Sequence, residues 1–355
     1  MDSGSKRGAG LRCLGWEGYA SGSLPEAFQR ACGIVLSGAD HLGDDAACRK
    51  ILAERDAWDI ININTPFVRD VLYPAGAIAP ADERYRGAVN SVSGPLSRFH
   101  AAVLGPDDVL LGVPQRFGPF NLVINSERVA APTARKDGFS LALDPYFRGR
   151  FGVLAYEDFN VMHIAIAAGL DPFQAMDDAE LIRFRAAAMN VLQAAAMVTD
   201  DHNAMNEALV RGEIDFYISG GVYTASPARL EGHLQVQAIT PQGGPIAGKG
   251  AVAFVEVNAL VAGGRAPRPE RCAFLDFILS PDGAYRAAKA AGACNPVVQM
   301  HDRRVREQFS AHELTAMQWD SIEEDLAYCA DYAIIPSYRQ LAEIVRASRS
   351  AQGKA

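Results

Sequence analysis

Leu11-Arg12-Cys13-Leu14-Gly15-Trp16-Glu17-Gly18-Tyr19 is the stretch from which the fold is read. Residues 11–15 form a short predicted strand. Ser23 then stands where a helix N-cap belongs, Pro25 suits the first turn, and Gly33 supplies the stop. Residues 34–36 predict a second strand, residues 45–55 a helix, and Trp58-Asp59-Ile60-Ile61-Asn62-Ile63 a third strand that is mostly apolar. Apolar strands without polar alternation, separated by helices, predict a parallel sheet covered on both faces.

The pattern continues outward from there. Strands are expected at residues 109–113, 122–125 and 151–155, and a helix at 159–168 that Gly169 stops. A long Ala-rich helix is expected at 178–198, another at 202–211 behind the capping pair Asp200-Asp201, and then a strand ending at Ser219-Gly220-Gly221. The turn cluster Pro241-Gln242-Gly243-Gly244-Pro245 precedes a strand at 251–255. Helices follow at 269–279 and 281–291, and the tail reads as helical over 315–348 with a break near Pro336 and fraying from 346. No internal repeat or low-complexity tract is present.

With 355 residues, the chain fits about two domains. Hydrophobic residues make up 49% and charged residues 21%, ordinary globular values. A net charge of −8 supplies no basic field for phosphates, so neither nucleic acid nor an anionic membrane is an expected partner. No run approaches the roughly 20 apolar residues of a membrane span. The first ten residues contain no apolar core of an export signal. Six cysteines are scattered without a C-x-x-C pair and the seven histidines form no ligand set near them, so no metal or cofactor is expected and buried free thiols are favoured over disulfides.

In open α/β sheets ligands bind beyond the carboxyl ends of strands. Those positions hold Trp16, Glu17 and Tyr19, then Asn64, Thr65 and Phe67, then Arg116, Phe117, Phe120 and Asn121; further on come Tyr156, Glu157 and Asn160, and Ser219 with Tyr223. Aromatic rings mixed with a few charges suit a small polar solute with an apolar stem. No dinucleotide fingerprint, P-loop or G-x-S-x-G elbow occurs, and no nucleophile, base and orienting partner can be placed together, so no enzyme is expected. His163, at apolar spacing in a helix, reads as a packed histidine rather than a base.

The order of Leu11–Tyr19, Trp58-Asp59-Ile60-Ile61, Gly112-Val113-Pro114-Gln115-Arg116-Phe117-Gly118 and Val123-Ile124-Asn125 resembles the polyamine-type (spermidine/putrescine-binding-like) solute-binding proteins of bacterial ABC importers. Tyr146-Phe147-Arg148-Gly149-Arg150-Phe151-Gly152-Val153-Leu154, Gly169-Leu170-Asp171-Pro172, Gly212-Glu213, Pro241-Gln242-Gly243-Gly244, Phe274-Leu275-Asp276-Phe277-Ile278-Leu279-Ser280-Pro281 and Gly292-Ala293-Cys294-Asn295-Pro296 extend it over residues 11–345. The resemblance implies a two-lobed α/β periplasmic-binding-protein fold, each lobe a mostly parallel sheet flanked by helices, with ligand in the cleft. It places lobe one at 10–122 plus 247–300 and lobe two at 123–246 plus 301–355. It also implies a monomeric periplasmic protein that hands a small-molecule solute to a cognate permease in the inner membrane.

On this resemblance Trp16 and Tyr19 map to the family's aromatic box, with core packing the alternative reading. Where polyamine binders present two carboxylates, this chain has Glu157 and Asn160; the family's tryptophan after Ile218 is missing, and Gly248, Lys249 and Gly250 stand where a tryptophan and an aspartate are expected. A polycation would therefore lack counter-charges. Arg116 and Lys249 read either as solvated surface or as anchors for an acid. The expected ligand is a zwitterionic amino acid, opine or aminophosphonate held between Glu157 and Arg116. Alternatives are a polyamine ligand, and an enzyme or sensor on the same fold.

Overall fold

A computed structural model describes residues 10–352. Its strands, in chain order, are β1 (Leu11–Trp16), β2 (Leu36–His41), β3 (Ile60–Asn64), β4 (Ile78–Ala79), β5 (Val113–Asn125), β6 (Phe151–Leu154), β7 (Met197–Thr199), β8 (Phe216–Gly221), β9 (Val236–Ile239), β10 (Ala251–Val261) and β11 (Cys329–Asp331). The chain divides into two compact units. Unit one holds the described residues up to Phe117, with Val255–Gly292 and Pro296–Phe309; unit two holds Gly118–Phe254, Ala293–Asn295 and the described residues from Ser310 onward. The chain passes between units inside β5, at Phe117 and Gly118, inside β10, at Phe254 and Val255, and again at residues 292–296 and 309–310.

In unit one, β1 lies between β2 and β3, parallel to both, and β10 runs antiparallel to β3 with β4 beside it. Helix Ser23–Cys32 brings Phe28 against Phe274 and Phe277 of helix Arg268–Leu279, ring centroids 5.5 Å apart in both cases. Each such fully buried ring contributes about 1.5–3 kcal/mol. In unit two, β6 lies between β7 and β8, parallel to both, while β5 pairs antiparallel with β8 and β9, and β11 pairs with the start of β10. Phe151 stacks on Phe216 at 5.3 Å in its core.

Several sequence expectations are corrected. Gly22, not Ser23, precedes the first helix, and no side chain caps it. The second strand is displaced from residues 34–36 to the polar run Leu36–His41, because Leu11 pairs with Leu36 and β2 has a neighbour on only one side among the described residues, where polar side chains remain solvated. Residues 109–112 are not a strand; Val113–Asn125 is a single one that continues through Pro114, Gly118 and Pro119. The Ala-rich helix stops at Ala194, whose successor Ala195 turns extended so that Met197–Thr199 can pair with β6. Parallel pairing overrides helix propensity there. The strand beginning at Ala251 runs on to Val261. The tail is broken into helices Ala311–Ala316, Ile322–Ala327 and Tyr338–Gln352 around β11, and the expected fraying at 346 gives way to continued helix, with Ser348 buried and bonded to the Ile344 carbonyl.

Candidate functional site

Because β1, β2 and β3 are parallel, their carboxyl ends share one edge of unit one, and pairing of Asn64 with Glu256 adds β10 to that edge. Trp16 and His41, opposite each other in the β1–β2 register, place their rings 4.6 Å apart. His41 Nε2 donates to the Asn62 carbonyl at 2.9 Å, and burial lowers its pKa to about 4 against that bond, so the ring is neutral at pH 7. The loop after Trp16 is fixed by Asp40, which accepts from Gly18 N, Ala20 N and Ser21 Oγ at 3.5, 3.3 and 2.9 Å. Gly18 is required there: its φ is 87°, and a Cβ would lie 2.5 Å from that of Ala290.

Arg116, read either as solvated surface or as an anchor for an acid, lies on β5 and is buried. Its Nε donates to Glu256 Oε1 and Oε2 at 3.0 and 2.9 Å, its Nη1 to the Glu17 carbonyl at 3.1 Å, and its Cζ sits 4.6 Å from the centre of the Tyr19 ring. Burial opposes the guanidinium charge, but Glu256, Tyr19 and Glu17 together outweigh it and the pKa moves up. Glu256 was missed by sequence reading; the available signal was a lone acid in the apolar strand Ala251–Val261. Tyr19 is fully buried and its hydroxyl donates to Gln115 at 3.4 Å. Four candidates, Trp16, Glu17, Tyr19 and Arg116, thus fall at or beside this edge. Others brace it: Asn64 N and Nδ2 donate to Asp44, and Thr65 Oγ1 to the Val255 carbonyl at 2.6 Å. Phe67 is half-buried in a short helix, and Phe117 packs on Phe99 in the core, 5.2 Å between centroids.

In unit two, Tyr156 follows β6 and Glu157 begins helix Glu157–Ala167. Glu157 accepts from the Tyr338 hydroxyl at 3.1 Å and lies 3.6 Å from Arg346, so it is a partnered, half-exposed acid. Ser219, held at φ 67° near the end of β8, donates to Asn160 Oδ1 at 2.6 Å, which leaves its oxygen to accept from His163 Nδ1 at 3.1 Å. The serine proton is directed at Asn160, away from the histidine, the reverse of a nucleophile–base pair. His163 is fully buried, stacked on Phe139 at 4.2 Å, and burial lowers its pKa to about 3.

Phe120 meets Phe159, Phe254 and Tyr332 at 4.4, 4.8 and 5.4 Å, and Tyr223 approaches Phe254 edge-on at 5.8 Å. Phe254 and Tyr332 had no motif to announce them. Asn121, near Phe120, hydrogen-bonds with Thr240. Lys249, expected to offer a free charge, instead donates to the Cys329 carbonyl at 2.8 Å and ties β11 to its neighbour. Among the described residues no group of three or more His, Cys, Asp or Glu side chains could hold a metal, and all six cysteines are free thiols. No described helix is long and apolar enough to cross a membrane.

No family model and no curated relative matches the chain. Solved structures do match over nearly its whole length. The spermidine/putrescine ABC transporter substrate-binding protein PotD from Streptococcus pneumoniae is 13% identical, covers 96% of this chain and 99% of its own, and gives a TM-score of 0.66. The TpPotD lipoprotein of Treponema pallidum is 15% identical over 96% and 100%, with a TM-score of 0.71. AgtB from A. tumefaciens R10, solved with agropinic acid, is 15% identical over 97% and 98%, with a TM-score of 0.57. The chain shares their fold, and the first two are of the polyamine-type group that the sequence resembles.

Proposed function

We propose that the chain is the solute-binding component of an ABC importer, acting outside the cytoplasm and delivering a small organic solute to a cognate permease. The observation that carries this reading is the chemistry of the strand ends. Each unit gathers aromatic rings with neutral or internally paired polar groups on elements of an α/β sheet, the setting in which such sheets take small ligands. The fold shared with transporter substrate-binding proteins supports the same reading.

The solute we favour is an amine-bearing acid, such as an amino acid, opine or aminophosphonate, over a long polyamine. Glu157 is already partnered by Tyr338 and Arg346, and Glu256 by Arg116, so neither is an idle counter-charge for a polycation. A thermal-shift panel of ω-amino acids, opines, aminophosphonates and polyamines tests the proposal, since a ligand selective for the folded state stabilises it by mass action, about 2.7 kcal/mol at 100 times Kd. A concentration-dependent rise in Tm with an amine-bearing acid is expected. No response to any member contradicts solute capture of this class.

A further inference from the structure

A bound alkylammonium needs a carboxylate, carbonyl oxygens and an aromatic face. Unit one contains all three at one place: the Glu256 carboxylate, the Glu17 carbonyl and the Tyr19 ring. The guanidinium of Arg116 already occupies it, satisfying both carboxylate oxygens through Nε, the carbonyl through Nη1 and the ring face through Cζ. The side chains of Arg116 and Glu256 are each 8% exposed, so the pair is shielded from the solvent screening that makes surface pairs weak.

We propose that Arg116 is a tethered cation that fills this seat from within the chain and thereby excludes ammonium ligands from it. This deepens the solute-capture reading and rests on it. A second detail gives the exclusion a positive counterpart. Arg116 Nη2 has no partner among the described residues and is not among the buried unpaired atoms, so the guanidinium keeps a donor for an acceptor oxygen. Of the other acids at this edge, Asp40 is committed to the Gly18–Ser21 loop and Asp44 to Asn64, and the Glu17 charge favours the Arg116 guanidinium. His41 is neutral. With Glu256 occupied, the seat itself offers an incoming solute the Arg116 donor rather than a carboxylate, which suits a carboxylate, phosphonate or other acceptor group.

Putrescine and 4-aminobutyrate, which share a four-carbon chain and differ at one end, are the probes. Calorimetric titration of the full chain should show tighter binding of 4-aminobutyrate. Arg116→Gln, which empties the seat and uncovers Glu256, should shift the ratio of the two affinities toward putrescine by about 100-fold. Because that variant leaves a buried acid unpaired and could unfold, Arg116→Gln combined with Glu256→Gln provides a neutral control, in which the preference should flatten. Tighter binding of putrescine by the unaltered protein, or an unchanged ratio in both variants, overturns the tethered-cation proposal while leaving solute capture standing. No binding of either probe to any form overturns it too, and a silent wider panel then removes the capture reading as well.

Discussion

Trp16 sits at the end of β1, buried, with its ring against a neutral imidazole. If its face meets solute, Trp16→Ala lowers affinity by about 2 kcal/mol or more, the scale of a binding hot spot, with a smaller effect on Tm. Unchanged affinity with a lowered Tm returns the ring to the core. The buried histidines make a separate prediction about pH. His41 and His163 titrate near 4 and 3 in the folded chain against 6.5 when unfolded, so the unfolded state binds more protons as pH falls below 6.5. Stability present at pH 7 is therefore lost progressively as pH falls from about 6.5 toward 3. Urea unfolding at pH 7 and pH 5 should show this loss, and His163→Gln should make it smaller; an equal slope in the variant contradicts the assignment. At this scale the aromatic candidates were legible because they follow recognisable strands, whereas the Arg116–Glu256 pair was not, since its partners are 140 positions apart in sequence.

Among elements, β5 and β10 were read as short pieces because Pro114, Gly118 and Pro119 in the first, and the polar residues Glu256 and Asn258 in the second, interrupt the local pattern. The interruptions are absorbed by tertiary partners that no local window contains: Gln299 Nε2 donates to the Pro114 carbonyl at 2.7 Å, and Asn258 Nδ2 to Gln115 at 3.0 Å. The short parallel β7 was hidden for a related reason, since its pairing with β6 is non-local. The first helix, by contrast, ended where Gly33 said it would, in the left-handed region at φ 71°. Tail placement depends on Arg229, in the last turn of helix Val222–Leu230. It donates to the carbonyls of Thr315, Ala316, Leu234 and Val236 at 2.7–3.1 Å and so anchors helix Ala311–Ala316. Arg229→Met should lower unfolding free energy by about 2–4 kcal/mol, because buried carbonyls lose their donor. Denaturant titration with unchanged solute affinity is the expected result; a stability within about 0.5 kcal/mol of the parent contradicts the anchoring role.

For the whole molecule, the account assigns solute capture to strand ends in both units, so the decisive readout must report on each unit independently. Backbone amide exchange does so. With the tightest solute from the panel at saturation, segments 16–20 in unit one and 156–160 and 219–223 in unit two should all exchange more slowly than in the free protein. Slowed exchange confined to one unit, or lying wholly away from these strand ends, contradicts the assignment of capture to the strand ends of each unit.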